Sequence, residues 1–128
     1  MKKVTGLGGI FFKAKDPKAL YEWYGKHLGI ESSPDGSGAM WRDGEHPESP
    51  VFNVFAIFPA DTKYFAPSDS NFMINFRVEN LDELLAALRA EGVEVDPKVE
   101  DYDYGKFAWI MDPEGNRVEL WEPPKNSG

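Results

Sequence analysis

The chain has no cysteine, which excludes disulfides, thiolate zinc sites, iron–sulfur clusters and cysteine nucleophiles together. Histidine is nearly absent: His27 and His46 are the only two, too few for a histidine-rich metal centre. Positive charge is scarce as well, with 14 Lys and Arg against 22 Asp and Glu and a net charge of −8. Nucleic acids and anionic membrane surfaces are bound through positive charge, so neither is expected as a partner. Long hydrophobic runs are missing. Val54 to Pro59 is among the longest, far below the roughly 20 apolar residues that span a bilayer. The opening Met-Lys-Lys-Val-Thr-Gly has neither the apolar stretch nor the cleavage pattern of a signal peptide. A cytoplasmic protein is the expectation.

What is present is 128 residues, 41% hydrophobic and 14% aromatic, enough for one core in a single domain over 1–128. Two helix signals resemble each other. Asp16 followed by Pro17 reads as an N-cap with proline at the first helical position; Leu20, Trp23, Tyr24 and Leu28 follow at helical spacing, and Gly29 closes the segment. In the second half Asn80 is the cap with Glu83 completing a capping box. Leu81, Leu84, Leu85 and Leu88 form its apolar stripe, and Gly92 ends it.

Strand-like runs surround both helices. Gly8 to Ala14 precedes the first and Phe72 to Val78 the second. After the helix glycines come the short segments Ile30-Glu31 and Val93 to Val95, then Ala39 to Arg42 and Val51 to Phe58 in the first half, Lys106 to Met111 and Arg117 to Trp121 in the second. Asp112 to Asn116 reads as the turn between the last two. The acid-rich segment from Asp96 to Asp103 reads as a solvated loop. The chain thus repeats strand–helix–strand–strand–strand, offset by about 64 residues, with a Pro/Ser-containing join at Ala66 to Ser70. An α+β fold follows: two tandem βαβββ modules, about 1–66 and about 71–124, forming a curved sheet around a cup with the helices on its outer face.

Strand alternation divides inward from outward side chains. The mixed sets, with Phe11 on the first strand and Met73, Asn75 and Arg77 on the first strand of the second half, are expected to line the cup. Glu119 lies between apolar neighbours in an inner strand, an unusual place for a carboxylate. Either it pairs with Arg77 or Arg117 and fixes the sheet register, or it meets a ligand. His27 is placed on the buried side of the first helix, as a packed residue rather than a ligand. His46 lies in a Gly- and Pro-bounded loop, from which it would share an ion with Glu119 only if that loop folded over the cup. Gly6, Gly8 and Gly9 precede a strand, so they do not form a dinucleotide fingerprint.

Asp16-Pro17, Tyr21-Glu22-Trp23-Tyr24, Leu28-Gly29-Ile30 and the run from Asp112 to Pro123 together resemble the vicinal oxygen chelate superfamily. That group includes glyoxalase I, bleomycin-resistance proteins and extradiol dioxygenases. Its enzymes hold a divalent metal with histidine and glutamate side chains from the first and last strands of each module. By this resemblance the ligand positions fall at Gly9, at Met73, at Asn53 or Phe55, and at Glu119; only Glu119 matches. One carboxylate does not hold a catalytic ion, so no cofactor is expected. The resemblance then implies a metal-free protein that binds a small organic molecule, aromatic or cationic, in an aromatic cup. Glu119 would anchor it, Asn75 and Arg77 would orient it, and Phe11, Phe55, Trp109, Trp121, Met73 and Trp41 would line the cup. The alternatives are a metal-dependent lyase or dioxygenase with Glu119 as one ligand, and an interaction module that forms a homodimer through its sheet edges.

Overall fold

The computed structural model describes residues 3–33, 38–42 and 52–124. Its elements run β1 (Val4–Ala14), α1 (Pro17–Leu28), β2 (Ala39–Arg42), β3 (Phe52–Pro59), β4 (Phe72–Val78), α2 (Leu81–Ala90), β5 (Val95–Tyr102), β6 (Gly105–Met111) and β7 (Arg117–Glu122). The seven strands form one curved sheet in the order β2-β3-β1-β4-β7-β6-β5. The two halves join where β1 and β4 pair antiparallel, so both contribute to one concave face.

The helix boundaries follow from their caps. Asp16 Oδ1 accepts from the Ala19 N–H at 3.1 Å, and Gly29 takes φ 70°, a conformation that glycine adopts without steric cost. Asn80 Oδ1 accepts from the Glu83 N–H at 3.1 Å, while Glu122, at the end of β7, accepts from the Leu81 N–H at 2.7 Å. This last bond ties the start of α2 to the end of the final strand and satisfies a donor that the helix itself leaves unpaired.

The helix-facing core is built mainly under α2. Val78, Leu81, Leu84, Leu85, Ala108 and Leu120 are all buried there, flanked by Phe76, Leu88 and Ile110. Here the strand alternation puts Val118 and Leu120 toward the helix, leaving Arg117, Glu119 and Trp121 for the other face. The first helix is less covered. Trp23 and Leu28 are 50% and 61% exposed, and His27 is exposed with its ring 5.0 Å from that of Trp23. The expectation that His27 lies on a buried side is therefore corrected. The helix is held through Tyr21, whose hydroxyl accepts from the Ile57 N–H at 2.7 Å, and Tyr24, whose ring packs edge-on against Phe55 at 5.1 Å.

Two further expectations change. Residues 30–33 form no strand; with no apolar alternation beyond Ile30, the segment has no face to bury, and the first half is βαββ over the described residues. Conversely, Asp96 to Tyr102 is not a loop but most of edge strand β5, paired antiparallel to β6 with a register shift between Val95 and Val99. An edge strand tolerates proline and charge on its open side, which is why Pro97, Lys98, Glu100 and Asp101 concealed it. Among the described residues, no helix is long and apolar enough to cross a membrane.

Candidate functional site

Strand register sets the site. Read across the sheet, Val54 pairs with Gly9, Gly9 with Asn75, Asn75 with Glu119 and Glu119 with Trp109. These residues form one row on the concave face. A second row places Ala56 beside Phe11 and Phe11 beside Met73. Phe11, Met73, Asn75, Arg77, Trp109, Glu119 and Trp121 thus share the face on which the sequence put them.

Phe55 and Trp41 do not. Phe55 contacts Phe12 at 5.4 Å and Tyr24 of α1 at 5.1 Å, which places it on the helix face; Trp41 packs beside it at 6.2 Å and is 45% exposed. The inward residues of β3 are Val54, Ala56 and Phe58. With a side-chain period of two, an error of one residue in aligning a strand reverses every side chain on it, and that is the source of both corrections. The position tested for a first-module acid, Asn53 or Phe55, is affected by the same error: the residue in the row of Glu119 is Val54.

The cup is occupied by the chain itself. The join between the modules, which in the structure is the whole connection from β3 to β4 over residues 60–71, folds back over the concave face, and Phe65 is fully buried against Phe11, Ala56, Met73 and Trp109. The Lys13 ammonium lies 5.4 Å from the centre of the Phe65 ring. Arg117 donates to the Ala66 carbonyl and lies 4.9 Å over the Trp109 ring, so it clamps the join against the sheet. Ser70 and Asn116 are joined at 2.5 Å, and the Lys13 N–H donates to the Asn71 carbonyl at 2.8 Å.

Beside Phe65, Tyr64 reaches Glu119. Its hydroxyl donates to Oε2 at 2.5 Å; Trp109 Nε1 donates to the same oxygen at 2.9 Å, and Asn75 Nδ2 donates to Oε1 at 2.6 Å. Glu119 is 1% exposed. Burial raises its pKa above the ordinary 4.5, against the pull of these three hydrogen bonds and of the Arg117 charge. The Tyr64 hydroxyl is held far above its usual range, first by burial and then by the Glu119 charge. Neither arginine bonds to the carboxylate: Arg77 Nε donates to the Leu7 carbonyl at 3.0 Å, and Arg117 is engaged as above. The pairing of Glu119 with Arg77 or Arg117 is thus replaced by three neutral donors. Tyr64 was missed because it lies in the join; two adjacent aromatics there, Tyr64 and Phe65, were the available signal.

The far side of the face carries a second aromatic group. Phe107 and Trp121 stack at 6.2 Å with planes 7° apart, Tyr102 and Tyr104 stack at 5.1 Å, and Trp121 Nε1 donates to the Tyr104 carbonyl at 2.9 Å. A cavity of about 230 Å³, lined in part by Pro67, Asp96, Trp109, Met111 and Arg117, lies next to the Glu119 row.

Gly8 makes room for this arrangement. It sits at the β1 irregularity between Leu7 and Gly9, and a Cβ there would fall 2.0 Å from Asn75 Oδ1 and 3.1 Å from the Trp121 ring. Asn75 Oδ1 is itself buried without a hydrogen-bond partner. Gly8→Ala is expected to displace Asn75 from Glu119 and cost about 1–3 kcal/mol of stability, the usual range for overpacking and for a lost buried hydrogen bond. Thermal unfolding checks this, and an unchanged melting point would show that Asn75 is not held by the gap.

The described residues of the concave face do not fit a metal ion. A side chain at Gly9 would meet the Val54 carbonyl at 2.6 Å, Met73 is fully buried in the apolar cluster, and both Glu119 oxygens already accept hydrogen bonds. Among the described residues there is no cluster of three or more His, Asp or Glu side chains. His46 lies outside the described residues.

The glyoxalase-like domain family matches residues 9–121. No curated protein matches the chain. Among solved structures, the fold is similar to methylmalonyl-CoA epimerase from Mycobacterium tuberculosis, with TM-score 0.64, 23% identity and coverage of 97% of this chain and 91% of that one. A glyoxalase/bleomycin resistance protein/dioxygenase superfamily member from Vibrio splendidus is similar at TM-score 0.58 and 15% identity, covering 91% and 98%. The Mn(II)-bound glyoxalase from Novosphingobium aromaticivorans is similar at TM-score 0.65 and 21% identity, over 95% of this chain but 40% of that one. With the doubled strand–helix pattern joined through β1 and β4, and a family match over nearly the whole chain, the protein belongs to the glyoxalase-like family of the vicinal oxygen chelate superfamily.

Proposed function

We propose that this is a cytoplasmic protein that binds a small aromatic molecule in the cup without a metal, using Glu119 as the polar anchor. The observation that carries the reading is the environment of Glu119. It is a buried carboxylate on the concave face, surrounded by aromatic rings and bonded to three neutral donors, with no ion-pair partner among the described residues. Burying a carboxylate without a cation is costly, and three neutral hydrogen bonds leave its burial penalty dominant. An aromatic wall around one strong acceptor is the usual make-up of a small-molecule site. Asn75 and Trp109 orient the carboxylate, and the adjoining cavity gives room for a ligand. Arg77 is directed to the β1 backbone and takes no part. Self-association into a homodimer would use a free sheet edge, β2 or β5, and sedimentation velocity reads it directly.

The test is tryptophan fluorescence with benzamidine, a flat aromatic cation with N–H donors, since Trp109 touches the site. Saturable quenching is expected, weakened about tenfold or more by Glu119→Gln, and insensitive to EDTA. Quenching that does not saturate, or that Glu119→Gln leaves unchanged, would sink the reading. Binding lost with EDTA and restored by manganese or zinc would instead favour the metal-dependent enzyme.

A further inference from the structure

The way Tyr64 occupies the cup identifies the ligand class, and this inference rests on the reading above. The Tyr64 ring is stacked on Phe58 at 5.4 Å with planes 5° apart. It meets Trp109 edge to face at 6.4 Å and 87° and lies 6.4 Å from Phe11. At the inner end of this slot its hydroxyl donates to Glu119 Oε2 at 2.5 Å. Flat walls on several sides and one strong acceptor at the end select a planar ring carrying a single O–H donor. The chain therefore already fills the slot with a phenol of its own.

The occupant is positioned to leave. Tyr64 is 38% exposed, so the slot opens to solvent on one side. The join does not depend on it, because Phe65 is fully buried next door and Arg117 holds the Ala66 carbonyl. Turning Tyr64 outward would leave Oε2 with the Trp109 N–H alone, inside an apolar slot. A second O–H donor in the same place restores the lost bond, whereas a ring without a donor leaves a desolvated acceptor.

We propose that Tyr64 is an internal stand-in for the ligand, and that the protein takes a small neutral phenol whose ring replaces the Tyr64 ring and whose hydroxyl donates to Glu119. Binding then competes with Tyr64 and is weakened by the fraction of molecules in which the slot is filled.

The probes are p-cresol and 4-methylanisole, which differ in whether the ring oxygen carries a proton. Each is titrated calorimetrically into the wild type, Tyr64→Phe and Tyr64→Ala, with circular dichroism confirming the fold. Affinity for p-cresol should rise from wild type through Tyr64→Phe to Tyr64→Ala, by about tenfold or more overall. In Tyr64→Ala, 4-methylanisole should bind about tenfold or more weakly than p-cresol. Should Tyr64→Ala fail to fold, the comparison of wild type with Tyr64→Phe decides, because losing the hydroxyl alone loosens the hold of the ring. Equal p-cresol affinity in all folded variants, or equal affinity for the two probes, overturns the proposal. If benzamidine binds in a Glu119-dependent way while p-cresol does not, the ligand class is wrong and the binding reading stands. If neither binds, both fall.

Discussion

Truncation of Glu119 to alanine is expected to destabilise the protein by about 2–4 kcal/mol at neutral pH. The substitution removes the acceptor of three hydrogen bonds. Tyr64, partly exposed, can turn its hydroxyl to water, but Asn75 Nδ2 and Trp109 Nε1 are buried and lose the acceptor they share on the concave face. A buried donor left unpaired costs about 1–3 kcal/mol, and relief of the buried charge offsets part of the sum. Urea denaturation measures it; a loss under about 0.5 kcal/mol would mean that the site relaxes without cost. Glu119→Gln keeps the shape and one acceptor, and is the cleaner variant for binding.

The same pair of proteins shows a pH signature. Because the folded-state pKa of Glu119 lies above its ordinary 4.5, between those two values the unfolded chain binds fewer protons at this group than the native one. Its contribution to stability is therefore full below about 4.5, declines as pH rises through the folded-state value, and is level above it. The unfolding free energy of the wild type minus that of Glu119→Gln should follow this curve. A difference that rises with pH over that window would contradict a carboxylate whose burial outweighs its hydrogen bonds.

Phe65→Ala is expected to be the costliest single truncation on the concave face, at about 3–5 kcal/mol, the range for a buried phenylalanine. Phe65 is 0% exposed and packs against both modules, through Phe11 and Ala56 of the first and Met73 and Trp109 of the second. For a chain of this size the melting temperature should fall by roughly 10 °C or more. Tyr64→Ala should cost less, since Tyr64 is 38% exposed where Phe65 is wholly buried. A Phe65→Ala protein that melts with the wild type would show that the join does not fill the cup, and would remove the argument for a slot occupied from within.

Local signals made most of the secondary structure readable. Asp16 and Asn80 mark the helix starts because a short oxygen-bearing side chain there satisfies a free backbone N–H. Gly29 and Gly115 mark a helix end and a turn because φ of 70° and 81° strains any residue with a Cβ. The alternation of Val118, Glu119 and Leu120 identified the inward carboxylate without any knowledge of its neighbours. Where the local signal was faint, the reading failed. Edge strand β5 has water on one side and needs no apolar alternation, and Ile30 is followed by nothing that can be buried.

The sequence by itself determined the α+β architecture, the repeated strand–helix pattern and the inward carboxylate Glu119, since each is written in short-range spacing. Only the tertiary structure decided what that carboxylate meets. Its partners Tyr64, Asn75 and Trp109 lie 55, 44 and 10 residues away, and their meeting depends on strand order and on the path of the join. It also decided which face Phe55 and Trp41 present, because strand pairing sets the register and one residue of shift exchanges the two faces. Above all it filled the cup: the aromatic join bends back over the sheet because Phe65 finds more apolar surface there than in solvent.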